Sequence, residues 1–156
     1  MTGRIDARLA ELGIELPSPP VPKASYTPTV HAGGLLYVSG QVPMDAAGEL
    51  MTGKLAADAD VPAGQAAARA CALALIAQAK AACGGDLDKV KRVVKLTGFV
   101  NSAPDFGNQP QVVNGCSDLM VEVFGPEIGA HARSAVGMAS LPFGVAVEVE
   151  GIFDIG

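Results

Sequence analysis

Tryptophan is absent from this 156-residue chain, and aromatic residues make up only 4% of it. Platforms on which the bases of a single strand stack are therefore scarce. Positive charge is also in short supply. Eleven Lys and Arg face sixteen Asp and Glu, for a formal net charge of -5. Phosphate backbones call for clustered cations, so nucleic acid is not an expected partner. No apolar run reaches the roughly 18 residues of a membrane helix. The N-terminus shows no apolar core of a signal peptide, and cytoplasmic residence is the expectation. Cysteine is limited to Cys71, Cys83 and Cys116. An odd, irregularly spaced set without CxxC argues against a disulfide framework. His31 and His131 lie far apart, without Cys at ligand spacing, which argues against zinc. Neither a metal nor an organic cofactor is expected. Charged residues make up 17% of the chain and apolar residues 49%. So thinly charged a surface implies partial cover by other subunits.

What is present suggests one domain. Residues 1–23 form a lead-in and residues 24–156 the domain proper. In the lead-in, Ile5, Leu9 and Leu12 share a face of a short helix over 2–13, stopped at Gly13. Pro17, Pro19, Pro20 and Pro22 then enforce an extended path. Residues 26–32 and 35–39 pattern as a hairpin turning at Gly33-Gly34. An alanine-rich helix spans 62–83, with Pro62 in its first turn and Gly84-Gly85 after it. A strand over 90–101 has imperfect alternation, with doublets at Val93-Val94 and Phe99-Val100. Ser102 and Asp105 have the spacing of a capped helical turn. The second main helix spans about 110–123 and ends at Gly125-Pro126. Strands over 133–139 and 145–153 close the chain. The order β-β-α-β-α-β-β predicts an α+β sandwich: a mixed or antiparallel sheet with two main helices on one face, plus the short N-terminal helix.

The final strand pair concentrates the chemistry. Arg133 stands at the mouth of one strand, and Glu148 and Glu150 alternate with Val147 and Val149 on the other. A guanidinium offers a planar fork for a carboxylate. A glutamate can hold or activate water. A simple hairpin around 140–144 would pair Arg133 with Ile152 and Glu148 with Gly137. The two charges would then lie on one face, on the order of 13 Å apart, with room for a small carboxylate and a water. A register shifted by one residue would set them on opposite faces. A rim arginine and a solvated strand glutamate would leave the same pattern.

Three ordered segments resemble the RidA (YjgF) family. They are Leu36-Tyr-Val-Ser-Gly-Gln-Val-Pro43, then Val94-Lys-Leu-Thr-Gly-Phe-Val100 with Asp105-Phe106 and Asn114, then Ala132-Arg133-Ser134 with Leu141-Pro142 and Val147-Glu-Val-Glu150. They span about 24–154. The N-terminal Leu12-Gly-Ile-Glu-Leu-Pro17 and the longer spacing resemble the branch called YjgF-like, chorismate-mutase-like. The resemblance implies a chorismate-mutase-like sandwich assembled as a homotrimer with clefts between subunits. It also implies hydrolytic deamination of reactive 2-imino and enamine acids to 2-oxo acids and ammonia. By position, Arg133 matches the clamp on the substrate carboxylate and Glu148 the residue that orients water. Tyr26, Ser39, Gly40 and Asn114 match pocket positions. Ala135 matches a further substrate-binding position, where the smaller branch has cysteine; it has no thiol, but its backbone carbonyl would serve. The segment 107–113 is longer than in that branch.

Three other readings compete. A small-carboxylate binding protein without turnover fits Ala135 and the longer segment. A ribonuclease fits a label the family carries, against the acidic balance of the chain. A chorismate mutase rests on fold alone and would need further cations, for which Arg69, Lys91, Arg92 and Lys95 are the available residues.

Overall fold

A computed structural model describes residues 3–156. The elements are α1 (Arg4–Glu11), β1 (Thr29–Ala32), β2 (Leu35–Gln41), α2 (Val61–Ala82), β3 (Arg92–Asn101), α3 (Gln109–Gly129), β4 (Ala132–Met138) and β5 (Val147–Asp154). The expected order and α+β class hold. The expected start of α1 at residue 2 lies outside the described residues.

The sheet order is β1-β2-β5-β3-β4, with β3–β4 parallel and the other pairs antiparallel. Parallel neighbours need a crossover, and α3 supplies it between β3 and β4. Both long helices pack on one sheet face. That face is formed by alternate buried residues: Val147, Val149 and Phe153 of β5, and Val93, Leu96 and Val100 of β3. The opposite face is left open. On it Tyr37 is 44% exposed and Val136 39%.

Small residues bring the layers together. A Cβ on Gly115 of α3 would overlap the Gln65 carbonyl of α2, so the two helix backbones touch there. Gly84 and Gly85 end α2 with φ of 69° and 91°, and Gly85 N–H donates to the Lys80 carbonyl at 2.8 Å. α1 lacks a side-chain cap of its own, because Gly3 holds that place. Asp88, from the turn before β3, fills the gap by accepting the Arg4 and Ile5 N–H groups at 2.7 and 2.8 Å. The extended lead-in lies on α2, where Gln78 Nε2 donates to the Pro20 carbonyl at 2.7 Å.

Four local expectations change. The doublet Val93-Val94 marks a bulge: pairing with β5 slips between Val93 and Lys95, so Val93 and Leu96 both face the helices. Ser102-Asp105 forms a turn, not a helical start. α3 kinks at Gly125 (φ 85°) before Pro126, then resumes to Gly129. Last, β4 and β5 do not form a hairpin. Residues 139–146 carry the chain past the end of β3, which lies between them. A crossover strand already occupies the inner edge of β4, so β5 takes the other side of β3.

Candidate functional site

Glu148 projects from the open face of β5, where it is half-buried. It lines a cleft of about 470 Å³ with Tyr26, Ser39, Gly40, Gln41 and Phe143. The cleft exists because β2 bulges. Val38 pairs with Gly151 and Gln41 with Val149, so Ser39 and Gly40 together oppose one residue of β5. Gly40 lets the carboxyl come this close: a Cβ there would overlap Glu148 Oε1 and push the side chain aside. The carboxyl therefore rests on bare backbone. Ser39 Oγ donates to the Thr27 carbonyl at 2.8 Å, and its lone pairs remain free to accept. No described residue donates a hydrogen bond to the Glu148 carboxylate. Burial raises its pKa first, and the neighbouring Glu150 raises it further. Tyr26 is 51% exposed at the mouth.

Arg133 belongs to the other face. It pairs with Leu96, which in turn pairs with Gly151, and all three point toward the helices. Its Nη1 donates to Asn114 Oδ1 at 2.8 Å and to Ser117 Oγ at 3.1 Å, and its Nη2 donates to the Pro110 carbonyl at 3.2 Å. Asn114 and Ser117 are one turn apart on α3, so they reach β4 together. All three partners are neutral. The ion pairs among the described residues, Arg8–Glu11 and Lys80–Asp6, lie elsewhere. Of five guanidinium donors, the Nε–H and one Nη2–H have no partner among the described residues. Nε and Nη2 are the nitrogens from which a side-on fork for a carboxylate is built. Ala135 follows on the same side of β4, half-buried against the core. The segment 107–113, expected as a lengthened loop, is helical from Gln109, and its Pro110 carbonyl is one of the three holds on Arg133.

The expected pairing of Arg133 with Glu148 across a hairpin is overturned. Glu148 is level with Phe99 and Val136, three residues from the Arg133 row and two strands away. The backbones are about 14 Å apart, and the side chains leave opposite faces. The arginine therefore does not hold this glutamate ionised within one chain. Tyr26, Ser39, Gly40 and Glu148 form one group, and Asn114, Arg133 and Ala135 form another.

Sequence reasoning left four neighbours of these groups outside the site. Ser117 and His131 stand behind Arg133. Their signal was present: Ser117 lies one turn after Asn114, and His131 lies two residues before Arg133. Phe143, 62% exposed with φ of 59°, lines the Glu148 cleft, and Lys23 Nζ lies 5.3 Å from its ring centroid. The Pro142-Phe143-Gly144 turn hinted at the aromatic, but nothing marked Lys23. A larger groove of about 640 Å³ runs between α1, the lead-in and α2. Its Asp6 and Lys80 pair with each other at 2.8 Å, which leaves it less to offer a charged ligand.

Comparisons with known proteins agree with the architecture. Residues 6–149 match the family model described as "YjgF/chorismate_mutase-like, putative endoribonuclease". Protein TCP17 of Trypanosoma cruzi is 54% identical over 154 residues, covering 99% of this chain and 96% of that protein. The 2-iminobutanoate/2-iminopropanoate deaminase of Dermatophagoides farinae is 32% identical over 140 residues, covering 89% and 92%. The crystal structure of Atu1372 from Agrobacterium tumefaciens, described as of unknown function, superposes with a TM-score of 0.86. It is 50% identical, with 97% of this chain and 94% of that one covered.

Proposed function

The chain belongs to the YjgF/chorismate-mutase-like family, and from that premise we propose that it hydrolyses reactive 2-imino acids, and the enamines that tautomerise to them, to 2-oxo acids and ammonia. The observation that carries the reading is an arginine with an unused carboxylate fork and no acidic partner, in the same chain as a half-buried glutamate over a cleft floor of bare backbone. A half-buried cation that no acid neutralises invites an anion. Because the two groups leave opposite faces of one sheet, the reading requires a second copy of the chain. Arg133 of one protomer then closes over the Glu148 cleft of its neighbour, in a homotrimer. The open sheet face, with Tyr37 and Val136, supplies apolar surface for such packing.

The chemistry asks little of the protein. Arg133 binds the substrate carboxylate through Nε–H and Nη2–H, while Asn114 and the Pro110 carbonyl hold the guanidinium. Water lies against the Glu148 carboxylate. An enamine first takes a proton on its terminal carbon and gives one up from nitrogen to become the imine. Glu148 then removes a proton from water as oxygen bonds to the imine carbon. The tetrahedral aminoalcohol forms, and the nitrogen takes up the proton that Glu148 accepted. Glu148 then takes the hydroxyl proton and passes it to the nitrogen as the C–N bond breaks, so ammonia leaves and the C=O of the 2-oxo acid forms. A glutamate with a raised pKa is a stronger base once ionised, which suits this step. Ala135 contributes no thiol, and the mechanism needs none.

The test is direct. A dehydratase generates the enamine from serine, and pyruvate release is followed by a coupled assay. Wild type accelerates release over buffer, and Arg133→Ala does not. If both match buffer, hydrolysis is lost as a function. Calorimetry with 2-oxobutyrate then decides whether a binding role survives. The endoribonuclease label on the family has the net charge of -5 against it.

A further inference from the structure

Behind Arg133 runs a chain of hydrogen bonds whose directions are all fixed by chemistry. His131 Nδ1 lies 2.7 Å from the Gly129 carbonyl, and Nε2 lies 2.9 Å from Ser117 Oγ. A carbonyl only accepts, so Nδ1 carries the proton. In the neutral ring Nε2 is then the acceptor, and the Ser117 hydroxyl donates to it. The hydroxyl proton being committed, Ser117 Oγ offers lone pairs only, and Arg133 Nη1 donates to it at 3.1 Å. The far end is anchored: Gly129 is buried, and a Cβ on it would lie 2.7 Å from Val121 Cα, so its backbone is pressed against α3. Burial lowers the pKa of His131, the Gly129 carbonyl opposes this and Arg133 adds to it, and the net lowering favours the neutral ring that the chain requires.

We infer that Ser117 and His131 are positioning residues for Arg133, relaying the rigidity of the α3 terminus to the guanidinium plane. The inference rests on the proposed carboxylate-binding role of Arg133 and adds what aims it. Without the chain, Nη1 keeps only Asn114, and the guanidinium can rotate away from the plane that presents Nε–H and Nη2–H. Neither residue touches the reacting atoms. Their loss is therefore felt in ligand binding and not in the chemical step.

Ser117→Ala, His131→Ala and the double variant are compared with wild type and Arg133→Ala. The readouts are Kd for 2-oxobutyrate, and KM and kcat for imine generated in situ. In each alanine variant Kd and KM are expected to rise on the order of fivefold, one neutral hydrogen bond's worth. kcat stays within about twofold of wild type. Ser117→Thr, which keeps the hydroxyl, stays near wild type. The double variant loses no more than either single one, because both break the same chain. Unchanged Kd and KM in both single variants, beside a dead Arg133→Ala, overturn the inference and leave the deaminase reading intact. If Arg133→Ala itself binds and turns over normally, the deaminase reading falls. Nitrogen NMR of the wild-type imidazole tests the chain without any substitution. A proton on Nδ1 and a bare Nε2 are expected, and the opposite tautomer overturns the inference.

Discussion

Glu148 carries a charge that the fold disfavours. Burial and Glu150 raise its pKa above the ordinary 4.5, so the native chain binds this proton more tightly than the unfolded chain does. Two outcomes follow. In the proposed reaction Glu148 acts as the ionised base, so the acid limb of kcat/KM is expected to fall at a pH above 4.5, and Glu150→Gln to move that limb down. The second concerns stability. An ionised Glu148 opposes folding at neutral pH, and its penalty disappears below the unfolded pKa. Glu148→Gln is therefore expected to raise Tm at pH 7 and to leave it unchanged near pH 4, while kcat falls by about 10²–10⁴-fold. Thermal melts at both pH values, beside the pyruvate assay, check the pair.

At the scale of elements, two contacts test the assembly of the layers. α1 depends on a cap from outside itself, and Asp88→Ala is expected to cost about 1 kcal/mol and to expose the α1 amides to hydrogen exchange. The two N–H donors also lower the Asp88 pKa. This contribution is thus present above the ordinary carboxylate range and lost as pH falls through the lowered value. Gly115→Ala, forced against the Gln65 carbonyl, is expected to cost about 1–3 kcal/mol in urea titration. Much at this scale was legible beforehand. Pro62, Gly84-Gly85 and Gly125 punctuate the helices where periodicity and turn chemistry indicate, and alternation at Val147–Glu150 assigns the faces of β5 correctly. Strand order was not legible. A hairpin and an inserted β3 leave identical local patterns, because the choice lies in long-range pairing, and that choice moved Arg133 to the face opposite Glu148. The bulge at Ser39-Gly40 escaped for the same reason: its partner is about 110 residues away along the chain.

The whole molecule presents two half-sites that a single copy cannot unite. In the proposed homotrimer unlike surfaces meet at each interface, so each cleft would draw its arginine and its glutamate from different chains. Co-expressed Arg133→Ala and Glu148→Gln, each inactive alone, are then expected to recover about a quarter of wild-type turnover over a random mixture, and about a third in purified mixed trimers. No recovery in verified mixed trimers refutes shared clefts. Val136→Lys is expected to split the assembly in light scattering and to abolish turnover with it. The sulfur chemistry of the chain completes the picture. Cys71, Cys83 and Cys116 are all buried, and burial pushes the Cys116 thiol up to about 12 and raises the other two. An imine carbon captures thiolates as readily as water. With every thiol sheltered and protonated, and alanine at position 135, the chain would offer the electrophilic substrate of the proposed reaction no competing trap, and the proposed deaminase would escape suicide inactivation.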